Sequence, residues 1–160
     1  MIQPRFALAT LLFPLLVACG LSAREQSVSS ANAAIRAVDE SNKAVAESLA
    51  SLPEGALTPD DFQGVRAAVI AHMEKMESTN AALRAVGAFF PELQKQIDET
   101  FRPEAEKAAT ACQEALDTSS TPTASQDDFL HAVTRVGFCV DRYATAVTSV
   151  SEEYTRLSGG

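Results

Sequence analysis

The sequence predicts an all-α protein, an antiparallel up-down-up-down four-helix bundle whose third helix is kinked at Pro103. Three observations lead to this fold. Apolar residues recur three and four positions apart in four segments, which is the period of one helix face, and no stretch alternates at period two. Alanine is abundant in these segments and glycine accounts for only 7 of the 160 residues. The connections between the segments are short, which favours antiparallel neighbours.

The first helix is predicted from residue 28, and its apolar positions form a heptad seam with one polar insert, Asn42. The seam consists of Val28, Ala31, Ile35, Val38, Asn42, Val45, Leu49 and Leu52. The segment Pro53–Gly55 ends this helix. Thr58 then caps the second helix, with Pro59 in the first turn and acidic residues at the positive end of the helix dipole.

The second and third helices are separated by a turn or sharp kink between Gly87 and Pro91. The inward positions of the second helix are Phe62, Val65, Val69, Met73, Met76, Asn80, Leu83 and Gly87. Those of the third are Leu93, Ile97, Phe101, Ala105, Ala108, Cys112 and Leu116. Pro103 lies within the third helix and is expected to kink it, because an interior proline removes a hydrogen bond and clashes with the preceding turn.

The fourth helix follows a loop over residues 117–125 and carries the most regular seam. Ser125 and Asp128 resemble a capping box in which Asp replaces Glu. The seam consists of Phe129, Val133, Val136, Val140, Tyr143, Val147, Val150, Tyr154 and Leu157. The bundle domain is thus predicted over residues 28–157, with a flexible tail at 158–160.

The first 18 residues have the three parts of an export signal: Arg5 near the amine, an apolar run, and small residues at its end. The run of about 13 residues is shorter than the roughly 20 that a membrane-spanning helix needs. Cys19 directly follows Leu16-Val17-Ala18. This segment resembles the lipobox of bacterial lipoproteins. The alternatives are a plain signal peptide that precedes a chance cysteine and an uncleaved anchor.

The lipobox resemblance implies that the chain is cut before Cys19, which is lipidated on sulfur and acylated on its new amine. Residues 19–27 would then form a lipidated cysteine with a short tether, and several acyl chains make a stable membrane anchor. In enterobacterial-type lipoproteins an Asp after the cysteine retains the protein in the inner membrane. Here Gly20 occupies that position. The resemblance therefore implies a periplasm-facing lipoprotein, in the outer membrane rather than the inner one.

The charge of the chain excludes nucleic acid as a partner. Removal of residues 1–18 takes away one of the 13 basic residues, leaving 12 against 21 acidic ones and a formal charge of −9. Nucleic-acid binding requires a basic face. The same charge opposes docking on anionic lipid, so the lipid anchor alone is expected to hold the protein on the membrane.

Cys112 and Cys139 are the two cysteines that remain after Cys19, and export places them in an oxidising compartment. Their spacing fits no metal or haem motif, so a Cys112–Cys139 disulfide is predicted; the alternative is two buried thiols. With helix ends at residues 117 and 126, the two cysteines would lie roughly 12 Å out of step along the helices. The loop would have to absorb this offset.

His72, Met73 and Met76 form the only group reminiscent of a haem or copper site, together with His131 on the fourth helix. Core methionines beside a half-exposed histidine explain this group without a cofactor, so no metal or cofactor is expected. The sequence lacks the motifs of zinc proteases, serine hydrolases and phosphate-binding loops, and no enzyme activity is predicted. Asn42 and Asn80 either fix the register of the helices or line a ligand pocket together with His72.

Two hypotheses of function follow. The first is a non-catalytic periplasmic lipoprotein whose helical domain binds another envelope protein or supports envelope structure. The second is a small-ligand or metal-binding bundle, such as a periplasmic sensor or carrier. Exposed apolar residues favour the first hypothesis. A closed core with a polar-lined cavity near Asn42, Asn80 and His72 favours the second.

Overall fold

The computed structural model describes residues 22–158, and the regular structure of this region is entirely helical. The elements in chain order are α1 (Ala23–Ala50), α2 (Gln63–Gly87), α3 (Pro91–Gln96), a π-helical turn (Ile97–Phe101), α4 (Arg102–Ser120) and α5 (Gln126–Ser158). The π-helical turn joins α3 and α4 end to end, so the chain forms four helical rods. The predicted all-α class and the number of helices are confirmed.

The N-terminal end of α1 differs from the prediction. The predicted export signal and Cys19 lie outside the described residues, but α1 begins at Ala23, within the segment 19–27 that was predicted to be a tether. A capping box explains this start. The Ser22 hydroxyl accepts a hydrogen bond from the Glu25 N–H at 3.3 Å, and the Glu25 carboxylate accepts one from the Ser22 N–H at 2.7 Å.

Reciprocal capping bonds also form at the two predicted helix starts. The Ser125 N–H donates to the Asp128 carboxylate at 2.7 Å, directly before α5, as predicted. The Thr58 N–H donates to the Asp61 carboxylate at 2.9 Å, but α2 begins only at Gln63. The predicted start of the second helix is therefore about one turn too early, because the Thr58 cap closes a separate turn before α2.

The third rod contains a π-helical turn directly before Pro103. The Arg102 N–H donates to the carbonyl of Ile97, five residues earlier, where an α-helix would use the carbonyl four residues earlier. Pro103 follows in the first turn of α4, where a residue without an N–H is tolerated. The backbone irregularity in this rod thus begins before the proline and not at it.

The four rods pack unequally. Helix α1 packs mainly on α2, and α4 packs mainly on α5, while fewer contacts join the two pairs. One apolar core nevertheless runs through all of them, and its largest fully buried hydrophobic side chains include those of Tyr143, Phe62 and Phe129. Helix α4 faces this core with small residues such as Ala108 and Ala111. Small side chains let two helix axes approach closely.

That close approach brings Cys112 of α4 and Cys139 of α5 together. Their Cα atoms are 5.4 Å apart and their sulfur atoms lie at bonding distance, so the pair has disulfide geometry. The offset expected from the sequence is smaller in the structure, because α4 continues to Ser120. Cys112 then lies eight residues before the end of α4 and Cys139 thirteen after the start of α5, an offset of about 7.5 Å at 1.5 Å per residue.

Candidate functional site: a closed polar core and an apolar groove

His72 lies in the core and not on its flank. Its side chain has no exposed surface, whereas Met73, predicted to point inward, is only partly buried. The buried residues of α2 explain the difference, because they follow a regular alternation of four and three positions: Val65, Val69, His72, Met76, Thr79, Leu83 and Val86. Met73 and Asn80 were predicted to lie on this seam, and each is one position after the polar residue that occupies it, His72 or Thr79.

His72 contacts one hydrogen-bond partner in the core. Its Nδ1 lies 2.9 Å from the Ser41 hydroxyl oxygen, which also lies 2.8 Å from the carbonyl oxygen of Val38. The single hydroxyl proton of Ser41 goes to one of these two acceptors at a time, so Nδ1 is the donor to Ser41 in one tautomer and the acceptor in the other. Its Nε2 is buried without a hydrogen-bond partner. Burial lowers the pKa of His72 from 6.5 to about 4, so the ring is neutral near pH 7.

Tyr143 of α5 contacts both His72 and Asn80, the second of the residues predicted to line a ligand pocket. The Tyr143 hydroxyl lies 2.7 Å from Asn80 Oδ1 and 2.9 Å from the carbonyl oxygen of Met76, and it can donate to one of them at a time. The Tyr143 ring contacts the His72 ring edge to face, with centroids 6.1 Å apart. Burial raises the pKa of Tyr143 well above its usual value. The hydroxyl therefore stays protonated and acts as a structural donor.

The three residues predicted to line a ligand pocket have different surroundings. Tyr143 links Asn80 to His72, but the Oδ1 atom of Asn42 is buried without a hydrogen-bond partner. Asn80 lines a surface groove, and neither His72 nor Asn42 lines this groove. Two polar residues of this region were not predicted, Ser41 and Thr79, and the regular seam spacing of α2 could have indicated Thr79.

The described residues show neither a metal-binding cluster nor a membrane-spanning helix. Across residues 22–158, no three His, Cys, Asp or Glu side chains converge in a way that could hold a metal ion. None of the helices in this range combines the length and the apolar character that crossing a membrane requires.

An apolar groove runs between α2 and α4 on the surface. Ile70, Met73 and Met76 of α2 form one wall, and Ala109 and Leu116 of α4 contribute to the other. The groove has a volume of about 390 Å³. The side chain of Ile70 is 48% exposed, although it is large and apolar. Methionine side chains adapt to partners of different shape, which suits a binding surface.

Polar residues border this groove and make it acidic. Glu74 and Glu77 of α2 lie along one edge, and Gln113 of α4 lies on the other. Asn80, one of the predicted site residues, also lines the groove. Among the ion pairs formed within residues 22–158, none involves Glu74 or Glu77. Both carboxylates are therefore available to a basic group of a partner.

Another exposed apolar residue, Phe138, lies on α5, and the charged groups around it are already paired. The guanidinium groups of Arg135 and Arg142 lie 5.2 Å and 4.6 Å from the centre of the Phe138 ring. Arg135 forms an ion pair with Glu114, and Arg142 forms one with Glu104. These pairs neutralise the arginines, so this cluster stabilises the α4–α5 contact and offers little free charge to a partner.

The comparisons with known proteins give no match: no protein-family model, no curated protein and no solved structure is similar to this chain.

Proposed function

We propose that this chain is a membrane-anchored periplasmic lipoprotein of the outer membrane, attached through lipid on Cys19, whose non-catalytic helical domain binds another envelope protein. The apolar groove between α2 and α4 carries the proposal. A solvent-exposed apolar surface bordered by polar residues is typical of protein-binding sites. The lipobox resemblance supports the anchor and the compartment.

The contrast between core and surface favours protein binding over a ligand pocket at the predicted polar residues. His72 is fully buried and Asn80 hydrogen-bonds Tyr143, so their polar atoms serve the interior. Ile70, in contrast, leaves about half of its side chain in water. The groove around Ile70 thus offers a partner an apolar surface that the chain itself leaves uncovered.

We also propose that the four rods run up-down-up-down, with a bend in the third where the π-helical turn meets Pro103. Residue pairs across the helices support this order. In the first pair of helices the Thr79 hydroxyl donates to the Ala34 carbonyl, and His72 contacts Ser41. The later residue of α2 thus meets the earlier residue of α1, as in antiparallel helices. In the second pair Arg142 meets Glu104 and Arg135 meets Glu114, which is the same order.

The chemistry of the groove defines the partner. Its floor is apolar and methionine-rich, so it favours a helix that presents large apolar side chains. Its edge carries Glu74 and Glu77, and the mature chain is strongly acidic. Lysine or arginine residues that flank the apolar face of the partner would therefore match this border.

Photocrosslinking in cells tests this proposal with a matched pair of positions. A photoreactive phenylalanine analogue replaces Ile70 in one variant and Leu130 in the other; both residues are about half exposed, but only Ile70 lines the groove. We expect one defined crosslinked envelope protein from position 70 and none from position 130. The Glu77→Lys substitution should weaken the crosslink, because it reverses a charge at the groove border.

Two results would contradict the proposal. Equal crosslinking from both positions would show unspecific contact, and absence of a crosslink from position 70 would show that the groove is free in cells. Retention of the crosslink in the Glu77→Lys variant would remove the basic partner from the proposal. Identification of the crosslinked protein by mass spectrometry then shows whether it belongs to the envelope.

A further inference from the structure

A second cavity lies near the start of α1, away from the α2–α4 groove. It has a volume of about 290 Å³ and is bounded by α1, α2, α3 and α5. Apolar side chains form most of its wall, among them Ala31, Ile35, Leu83, Val86, Leu93 and Val150. It exists because α1 contacts α5 much less closely than it contacts α2. The cavity is open on one side, so a ligand can enter it without unfolding of the core.

The mouth of this cavity continues into a polar groove that contains two arginines. Val28, Asn32 and Tyr154 line both the cavity and the groove. Arg24 and Arg36 of α1 lie along the groove. An apolar chamber that opens onto guanidinium groups has the chemistry of a site for an amphipathic anion.

The two arginines are in different states. The Arg24 guanidinium stacks over the Phe90 ring at 4.4 Å, and Phe90 contacts the Tyr154 ring with centroids 5.4 Å apart, so Arg24 belongs to a packed aromatic cluster. Arg36 is exposed, and the ion pairs formed within residues 22–158 do not include it. The acid in the groove, Glu25, is held by Ser22 in the capping box. Arg36 is therefore the cation that remains for a ligand.

We propose that this site binds a lipid with a single aliphatic chain and an anionic headgroup, such as a fatty-acid carboxylate or the phosphate of a single-chain phospholipid. The chain occupies the cavity and the headgroup pairs with Arg36. An apolar cavity of about 150 Å³ holds a benzene ring, so a cavity of 290 Å³ holds roughly ten to twelve carbon atoms. The ligand is a separate molecule and not the anchor on Cys19, because the thioether-linked glyceride and the amide of a lipoprotein anchor carry no negative charge for Arg36.

Photolabelling of the full chain in isolated membranes tests this site. Membranes from cells that make the protein are incubated with a diazirine derivative of dodecanoate and irradiated, and the protein is digested with trypsin. The sequence places the cavity walls of α1 and α5 on two tryptic peptides, residues 25–36 and 143–156, and the remaining wall residues on peptides 76–84 and 85–95. We expect label on the first two, and none on residues 67–75, a peptide that carries the exposed Ile70 and reports unspecific apolar labelling.

Competition and two pairs of variants define the ligand. Unlabelled dodecanoate should displace the probe, and octanoate should compete on the order of 100-fold less well, since each buried methylene contributes about fourfold in affinity. Ala31→Phe fills the cavity and should abolish labelling, whereas Ala33→Phe, on the exposed side of the same helix, should not. Arg36→Gln should weaken competition by dodecanoate about tenfold, while Arg84→Gln, on α2, serves as its control.

Circular dichroism and thermal unfolding of the variants show whether Ala31→Phe is folded. If it is not, Arg36→Gln decides, because Arg36 is exposed and its side chain can be shortened without disturbing the core. Label spread evenly over the three peptides would overturn the proposal, as would equal competition by the two fatty acids. Absence of label from peptides 25–36 and 143–156 would likewise show that the cavity does not take a free lipid. None of these outcomes tests partner binding at the α2–α4 groove, so the lipid site can be refuted while the proposed function stands.

Discussion

The buried His72 should make the stability of the protein depend on pH in a defined window. The unfolded chain binds a proton on this ring below pH 6.5, whereas the folded chain does so only near pH 4, because burial lowers the pKa. Between these values the unfolded state carries more protons. The free energy of unfolding must therefore fall as the pH is lowered from about 6.5 to about 4.

The size of this effect follows from the difference between the two pKa values. A pKa lowered from 6.5 to about 4 corresponds to roughly 3 kcal/mol of stability lost across the window. Single domains unfold with about 5 to 15 kcal/mol, so this one ring contributes a large share of the acid sensitivity. The only hydrogen-bond partner found for the ring is Ser41, through Nδ1, and Nε2 has none. Protonation would place a charge in the core with one neutral acceptor.

Other groups lose stabilising interactions in acid, so the measurement is a difference. The capping hydrogen bonds lower the pKa of Glu25, Asp61 and Asp128, and protonation of these carboxyls also weakens the fold. Their contribution is common to the wild type and to a His72→Phe variant. Urea unfolding of both proteins, followed by circular dichroism from pH 7 to pH 4, isolates the histidine. The wild type should lose about 3 kcal/mol more than the variant.

His131 provides the matched control. It is the second of the two histidines in the chain and lies exposed near the start of α5. A His131→Phe variant carries the same substitution at an exposed position, so it shows the effect of exchanging a histidine for a phenylalanine outside the core. Parallel stability curves for the wild type and His72→Phe would refute the reasoning. They would show that water or a rearranged partner solvates the ring inside the folded protein.

Three further outcomes are expected. Counting of free thiols in unreduced, denatured protein should find neither Cys112 nor Cys139, and two reactive thiols would contradict the bridge. Replacement of both cysteines by alanine should lower the free energy of unfolding by about 3 kcal/mol, since the bridge closes a 27-residue loop. Cys19→Ser should release the protein from membranes, and continued sedimentation of this variant with membranes after a salt wash would exclude a lipid anchor. For the wild type, a sucrose gradient that separates the inner from the outer membrane shows which of the two carries the protein. Gly137→Ala should raise the free energy of unfolding by about 0.5–1 kcal/mol, because alanine loses less backbone entropy than glycine in a helix and the new Cβ meets open space. Gly87→Ala should give a smaller gain, because its Cβ would collide with the side chain of residue 94.

The helical class and the pairing of the cysteines were predictable because they depend on features that a sequence displays directly. The period of apolar residues indicated the class, and predicted export together with an even number of cysteines indicated the bridge. The cap at Ser125 was also predictable, since a capping box involves residues only three positions apart. The extension of α4 to Ser120 was not. There the hydroxyls of Ser119 and Ser120 satisfy carbonyls of the preceding turn, and serine side chains stabilise either a helix end or a loop in this way.

The π-helical turn is visible in the seam only after the structure is known. Leu93, Ile97, Phe101 and Ala105 are all buried and follow one another at intervals of four. In an α-helix each step of four overshoots a full turn by about 40°, so three such steps would rotate the seam by about 120° away from the core. A wider turn removes this drift. The kink in the third helix was predicted at Pro103 because a proline inside a helix commonly bends it.

The candidate site was predicted least well, because hydrophobicity is a poor guide to which polar residue enters a core. His72 and Thr79 occupy inward positions, and the polar atoms that find a partner there, His72 Nδ1 and the Thr79 hydroxyl, contact residues distant in sequence, Ser41 and the carbonyl of Ala34. A single sequence does not reveal such partners. The same holds for the α2–α4 groove, since the exposure of Ile70 depends on how far apart two helices lie.

The position of the disulfide gives the molecule an uneven response to mechanical load. The bridge fastens α4 to α5 covalently, whereas α1 is held to α2 only by side-chain packing and a few hydrogen bonds. A force applied before Ser22 reaches α1 first. Under such a force α1 can separate from α2 while the disulfide keeps α4 and α5 together. For the proposed lipid anchor and the proposed partner, this means that α1 can stretch before the surface between α2 and α4 is pulled from that partner.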